Sequence, residues 1–123
     1  MVQDWALVAF GGALGAVLRF AVMEQMGSAT SPWGTLTVNL VGSVALGALS
    51  AALALSVVSE GQALLFGTGL LGAFTTMSTF SMDTVRLAQE GAWSSTVGYV
   101  VATAVFGPLL AWMGWKVTHA GLA

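Results

Sequence analysis

The sequence predicts an all-α membrane protein with four transmembrane helices, the third of them broken. Of its 123 residues, 57% are hydrophobic and only 7% are charged, whereas a soluble domain carries about 25% charged residues. A membrane-spanning helix needs about 20 apolar residues, so the chain accommodates four spans and short loops in one domain, residues 1–123. We therefore expect a multi-pass protein of the cell (plasma) membrane, in contact with lipid.

Turn-forming residues divide the chain into four apolar segments. We predict spans over residues 5–26, 33–58, 63–88 and 93–116, with turns at residues 27–32, 59–62 and 89–92. Tryptophan is enriched where helices leave the hydrocarbon and meet the membrane–water interface. All five tryptophans lie near the predicted span ends: Trp5, Trp33, Trp93, Trp112 and Trp115.

The third span differs from the others because glycines and hydroxyl residues cluster in it. Gly67, Gly69 and Gly72 precede five hydroxyl residues: Thr75, Thr76, Ser78, Thr79 and Ser81. Glycine weakens a helix, and clustered hydroxyls offer the backbone alternative hydrogen bonds. We therefore predict a break near residues 72–76, which would free backbone groups to form an ion or substrate site. The alternative is a continuous helix whose small residues allow close packing.

The few basic groups are balanced between the two sides of the membrane. If the spans alternate in direction, Lys116 lies on the side of the N-terminal amine, and Arg19 and Arg86 flank the loops on the other side. The positive-inside rule then gives almost no preferred orientation. A chain without such a preference can insert both ways, and two opposite copies would form an antiparallel, dual-topology dimer with two-fold symmetry.

Polar residues on one face of the second span form a candidate ion contact. Thr35, Asn39 and Ser43 follow each other at intervals of four residues and therefore share a helix face. The side-chain amide of Asn39 can donate to an anion or accept from a cation. It can equally form a hydrogen bond that holds two helices together. The sequence leaves both roles open.

Two further spans carry polar groups that have both a structural and a functional interpretation. Arg19 follows the helix-packing pair Gly11 and Gly15, and it either extends toward the interface or attracts anions to a pore mouth. Tyr99 and Thr103 lie one turn apart on the fourth span. They form a polar lining, unless Tyr99 simply belongs to the aromatic belt.

The remaining charges and motifs do not indicate an enzyme. Asp83 and Arg86 are predicted to pair at the end of the third span. The chain has no cysteine, no Ser–His–Asp set for nucleophilic catalysis and no His–carboxylate cluster with metal-ligand spacing. The GxGxxG string at residues 67–72 lies inside a span rather than after a strand, which argues against a nucleotide site. The net charge of −2 is too small to indicate a nucleic-acid partner.

Three motifs, in this order, resemble the Fluc (CrcB) fluoride channel family. They are GGALGAVLR at residues 11–19, WGTLTVNLVGS at residues 33–43 and GAFTTMSTFS at residues 72–81. The likeness extends over essentially the whole chain. It implies a small four-span protein that assembles as an antiparallel dual-topology dimer with two pores and exports fluoride passively.

The resemblance also implies roles for individual residues. The backbone carbonyls of Gly72 and Thr75 from both subunits would surround a structural sodium ion on the two-fold axis, and Arg19 would lie near the vestibule. The ring edges of a pore phenylalanine would present partial positive charge to fluoride. The implied ion pathway consists of Thr35, Asn39, Met77, Ser78, Thr79, Phe80, Tyr99 and Thr103.

The chain departs from the family pattern at Met77, where a second pore phenylalanine is usual. A thioether has no ring edge, only a polarizable sulfur and its methyl group. In addition, Asp83 stands where glutamate is common, and Gly107 where a hydroxyl residue is often found. Because some family members form paired, unequal subunits, the partner is either a second copy or an unequal homologous subunit.

Two other functions are compatible with four short spans. A small multidrug exporter needs a carboxylate within its first span, and this chain has none between Trp5 and Arg19. A non-transporting packing subunit of a membrane complex would use the hydroxyl residues to join helices. Such a subunit would not require the order of residues found at 72–81.

Overall fold

The computed structural model describes residues 1–27 and 31–123, and the secondary structure in this part of the chain is helical. Four stretches of the described residues are long and apolar enough to cross a membrane, which confirms the predicted number of spans: Val2–Gln25, Pro32–Ala54, Glu60–Gln89 and Trp93–Leu122. The helical segments are α1 (Val2–Gln25), α2 (Pro32–Ala54), α3 (Glu60–Ala63), a π-helical segment (Leu64–Leu71), α4 (Gly72–Phe74), α5 (Met77–Gln89) and α6 (Trp93–Leu122).

The span ends differ from the predicted ones by a few residues. Helix α2 ends at Ala54 rather than residue 58, and the chain then turns through Ser56, whose φ is 59°. Helix α6 continues to Leu122 rather than ending at residue 116, and the imidazole of His119 stacks on Trp115 one turn earlier, with ring centroids 4.7 Å apart. Of the predicted turn at residues 27–32, residues 28–30 lie outside the described part.

The third span begins with a capped turn and then changes helix type. Ser59 Oγ accepts from the Gln62 backbone N–H at 3.1 Å, and Gln62 Oε1 accepts from the Ser59 N–H at 2.8 Å. This reciprocal capping box satisfies two backbone donors at the start of α3. From Leu64 to Leu71 the backbone is π-helical, a rare form that is often found at functional sites.

The backbone of the third span leaves helical geometry at Thr75 and Thr76. Helix α4 ends at Phe74, and Thr75 has a ψ of 157°. Thr76 is also extended, with φ −151° and ψ 110°, and α5 begins at Met77. We call these two extended residues, Thr75 and Thr76, the interruption.

Close helix packing around the third span depends on glycine. A Cβ added to Gly11 or Gly15 of α1 would overlap the backbone carbonyl of Leu65 or Leu70 in the π-helical segment. The predicted packing role of this glycine pair is therefore confirmed. Helices α2 and α6 form the second packed pair, and α5 contacts both of them.

Most large apolar side chains lie on the outer surface of the chain. Among the described residues only a few are buried, with Met23, Val38 and Tyr99 the largest of them. Trp5, Phe10 and many other apolar side chains are exposed along the spans. A soluble monomer rarely exposes so much apolar surface, which is suited to contact with lipid or with another subunit.

Candidate functional site

Asn39 connects α2 to the interruption in the third span. Its Oδ1 accepts from the backbone N–H of Thr76 at 2.8 Å, and its Nδ2 donates to the Thr76 carbonyl at 3.1 Å. The amide therefore pairs with both backbone groups of one residue, much as a neighbouring strand would. Of the two roles left open for Asn39, the structure shows the interhelical hydrogen bond. Nδ2 carries a second N–H that this pairing does not use.

The hydroxyl of Thr76 caps the start of α5. Thr76 Oγ1 accepts from the Thr79 backbone N–H at 3.2 Å, donates to Thr79 Oγ1 at 2.9 Å and lies 3.3 Å from Ser78 Oγ. A threonine in this position satisfies one of the free donors of the first helical turn. No separate role for Thr76 was predicted, although a hydroxyl residue directly before a helical segment is the usual signal for such a cap.

These hydrogen bonds remove the helical donors of two carbonyls. In a continuous α-helix, the carbonyl of Gly72 would accept from the N–H of Thr76. The carbonyl of Thr75 would likewise accept from Thr79. Here Thr76 N–H donates to Asn39 and Thr79 N–H donates to Thr76 Oγ1. Gly72 and Thr75 are the two residues whose carbonyls the family resemblance implies as cation ligands.

Arg19 of α1 contacts the backbone carbonyl of Ala73, which lies between Gly72 and Thr75 in the sequence. Its Nε donates to Ala73 O at 3.0 Å. In a continuous helix that carbonyl would accept from Met77 N–H, but Met77 lies beyond the interruption as the first residue of α5. The guanidinium therefore replaces a lost backbone donor. This contact places the side chain of Arg19 at α4.

A buried carboxylate lies between α5 and α6. Asp83 is 1% exposed; its Oδ2 accepts from the Tyr99 hydroxyl at 3.0 Å and its Oδ1 from Arg86 at 3.3 Å. The predicted pairing of Asp83 with Arg86 is confirmed. The contact with Tyr99 was not predicted, because the two residues belong to different spans and no spacing rule connects them.

The ring of Tyr99 also packs against Phe80, another residue of the implied pathway. The rings of Phe80 and Tyr99 lie 5.2 Å apart at an angle of 51°, within the range that aromatic pairs favour. Thr103 donates to the Tyr99 carbonyl at 2.9 Å, within α6. Thr35 Oγ1 is fully buried and makes no hydrogen bond within the described residues, which is uncommon for a buried hydroxyl.

The implied pathway residues divide into two neighbouring groups. The first surrounds Thr76 and the second surrounds Tyr99. The first group comprises Asn39, Ser78 and Thr79, and the second comprises Phe80 and Thr103. The remaining two, Thr35 and Met77, have no side-chain hydrogen bond to either group within the described residues; Thr35 is fully buried and Met77 is 73% exposed. A cavity of about 380 Å³ lies beside the second group, lined by Trp33, Leu36, Leu87, Gly98, Tyr99 and Ala102.

Comparison with known proteins shows relatives that match most of the chain. The sequence profile of a family described as CrcB-like protein, Camphor Resistance (CrcB), matches residues 6–115. A fluoride-specific ion channel FluC of Shewanella frigidimarina is 43% identical over 114 residues, which cover 90% of this chain and 92% of that protein. FluC 1 of Geobacillus kaustophilus is 42% identical, covering 89% and 93%. FluC of Idiomarina loihiensis is 52% identical over 87 residues, covering 68% and 67%.

Proposed function

We propose that this chain, which belongs to the CrcB-like protein family, is a fluoride-selective ion channel that lets fluoride leave the cell passively. The family consists of ion channels and not enzymes, and the chain is a multi-pass membrane protein. One observation carries the proposal. Two relatives named fluoride-specific ion channels are 43% and 42% identical to this chain along 92% and 93% of their own length.

We propose that fluoride passes along neutral hydrogen-bond donors and a ring edge. Fluoride is strongly hydrated, so a conducting site must replace its water with other donors. Asn39 carries a second N–H that its pairing with Thr76 does not use, and the buried hydroxyl of Thr35 has no hydrogen-bond partner among the described residues. Neutral donors bind an anion less tightly than a full positive charge would, so the ion can leave again. The proposed pathway residues are Thr35, Asn39, Met77, Ser78, Thr79, Phe80, Tyr99 and Thr103, with Arg19 at the vestibule.

We also propose that a structural sodium ion binds the carbonyls of Gly72 and Thr75. Both carbonyls have lost their helical donors to other acceptors, and Gly72 is exposed on the surface of the single chain, where a second subunit can approach. Four neutral oxygens from two subunits suit a monovalent hard cation, whereas calcium usually recruits carboxylates. No three His, Cys, Asp or Glu side chains converge within residues 1–27 and 31–123. A bound ion would supply positive charge that holds the interruptions of two subunits together.

The assembly that we propose is an antiparallel homodimer with one pore on each side of the two-fold axis. The balanced distribution of Lys116, Arg19 and Arg86 supports insertion in both orientations. The chain contains no cysteine, so a single Ala123→Cys variant carries one label site. In one membrane preparation, an impermeant thiol reagent should modify part of this protein from each side. Labelling from one side only would rule out dual topology for the homodimer.

Fluoride efflux from proteoliposomes, followed with a fluoride electrode, tests the function directly. Proteoliposomes that contain the purified protein should release fluoride but not chloride, and protein-free vesicles should release neither ion. A multidrug exporter or a packing subunit would show no fluoride flux under the same conditions. If the protein alone is inactive but becomes active when reconstituted with an unequal homologous subunit, the homodimer is wrong and the channel function stands.

A further inference from the structure

The buried carboxylate of Asp83 is hydrogen-bonded to one residue of the proposed fluoride path, which in turn packs against another. Tyr99 donates to Asp83, and Phe80 packs against Tyr99. Tyr99 also lines the cavity of about 380 Å³ between α2, α5 and α6. A negative charge at this position would repel an anion that passes along the Tyr99 group, and the repulsion would be strong because the surroundings are largely apolar.

Arg86 is the cationic group that faces this carboxylate. Its NH1 donates to Asp83 Oδ1 at 3.3 Å, and its side chain is 39% exposed. Helix α2, which packs against α5, contains no charged residue. On α6 the neighbouring titratable group is Tyr99, and Lys116 follows it 17 residues later, which is about 25 Å along a helix. The charge of Asp83 is therefore compensated within α5.

We propose that Arg86 is a positioning residue of the fluoride path: its ion pair cancels the charge of Asp83 and holds the carboxylate as the acceptor of the Tyr99 hydroxyl. This inference rests on the proposed function, because it concerns the path that fluoride would take. It assigns Arg86 no contact with the ion. Without Arg86, the carboxylate keeps its bond to Tyr99 but presents an uncompensated charge next to this residue, which packs against Phe80 and lines the cavity.

The test is a double-mutant cycle in the fluoride efflux assay. Arg86→Gln should lower the efflux rate by about tenfold or more, since an uncompensated charge at short range in a protein interior has an effect of this size. Asp83→Asn removes the carboxylate, so Arg86→Gln in the Asp83→Asn background should cost no more than about threefold. Arg86→Lys keeps the charge and should retain most of the efflux. Lys116→Gln is the matched control, which removes a cation remote from Asp83 and should change nothing.

Thermal unfolding of the same variants provides a readout that does not depend on transport. Arg86→Gln should lower the melting temperature in the unmodified background more than in the Asp83→Asn background, because the buried carboxylate is present only in the first. If Arg86→Gln costs as much efflux in the Asp83→Asn background as it does in the unmodified protein, Arg86 acts on the anion directly or only supports the fold, and the inference is overturned. If the unmodified protein moves no fluoride, either alone or with an unequal homologous subunit, the proposed function fails. The pathway role of Arg86 then fails as well, whatever the melting temperatures show.

Discussion

The side chain of Asn39 pairs with the backbone of Thr76 through two hydrogen bonds, one in each direction, of 2.8 and 3.1 Å. This pairing holds the interruption of the third span against α2. It also takes the N–H of Thr76 away from the carbonyl of Gly72. A single amide on a neighbouring helix therefore pairs with the extended backbone at Thr76 and accepts the N–H that the Gly72 carbonyl would receive in a continuous helix.

Asn39→Asp should weaken the fold and reduce fluoride efflux. A carboxylate cannot donate to the Thr76 carbonyl, and the unmade bond and the repulsion should lower the free energy of unfolding by about 1–3 kcal/mol. The new charge also repels fluoride, so efflux should fall by about tenfold or more. Circular dichroism melting in detergent and the electrode assay measure the two effects. Thr37→Val is the control, because the Thr37 hydroxyl donates to the Trp33 carbonyl one turn earlier within α2.

Thr76→Val should destabilise the start of α5 while preserving the shape of the side chain. Valine cannot accept from the N–H of Thr79, and the loss of a threonine cap costs about 1 kcal/mol. Thr76→Ser keeps the hydroxyl and should melt close to the unmodified protein. Equal melting temperatures for the valine and serine variants would show that the cap contributes nothing to stability.

The sequence predicted the number of spans and the hydroxyl-rich segment, because hydropathy and composition are local properties. It also predicted the pairing of Asp83 with Arg86, which lie one helical turn apart. It did not predict the contact of Arg19 with Ala73 or that of Asp83 with Tyr99. These pairs are separated by 54 and 16 residues, and their geometry depends on how whole helices pack. Asn39 was identified as a candidate for an ion contact or an interhelical hydrogen bond. Its partner could not be predicted, because the partner is the backbone of Thr76 and every residue has such a backbone group.

Arg19→Gln should weaken the stabilisation that we expect from sodium. Arg19 fixes the Ala73 carbonyl, which lies between the two proposed ligand residues, Gly72 and Thr75. A ligand that binds only the folded state raises the melting temperature as its concentration rises. The unmodified protein should therefore melt higher in sodium chloride than in N-methylglucamine chloride, and the Arg19→Gln variant should show a smaller difference.

Lys116→Gln serves as the control for this experiment. It removes a positive charge at the far end of α6, where Lys116 lies 5.7 Å from the Trp112 ring, and should leave the sodium effect intact. A melting temperature of the unmodified protein that is the same in both salts would argue against the sodium site itself. A full sodium effect in Arg19→Gln would instead show that Arg19 does not position the ligands.

Phe80→Ile and Met77→Phe test the ring edges of the proposed path. Phe80→Ile removes the positive ring edge and the contact with Tyr99, so fluoride efflux should fall while the protein remains folded.

Met77→Phe restores the aromatic residue that is usual in the family. Because Met77 is 73% exposed, the larger ring meets little steric hindrance within the chain, and efflux should be maintained or increased. Met82→Phe, at a position 57% exposed on the same helix, is the matched control and should leave efflux unchanged. If Met77→Phe abolishes efflux while the protein remains folded and Met82→Phe does not, then the pore position proposed for Met77 is wrong.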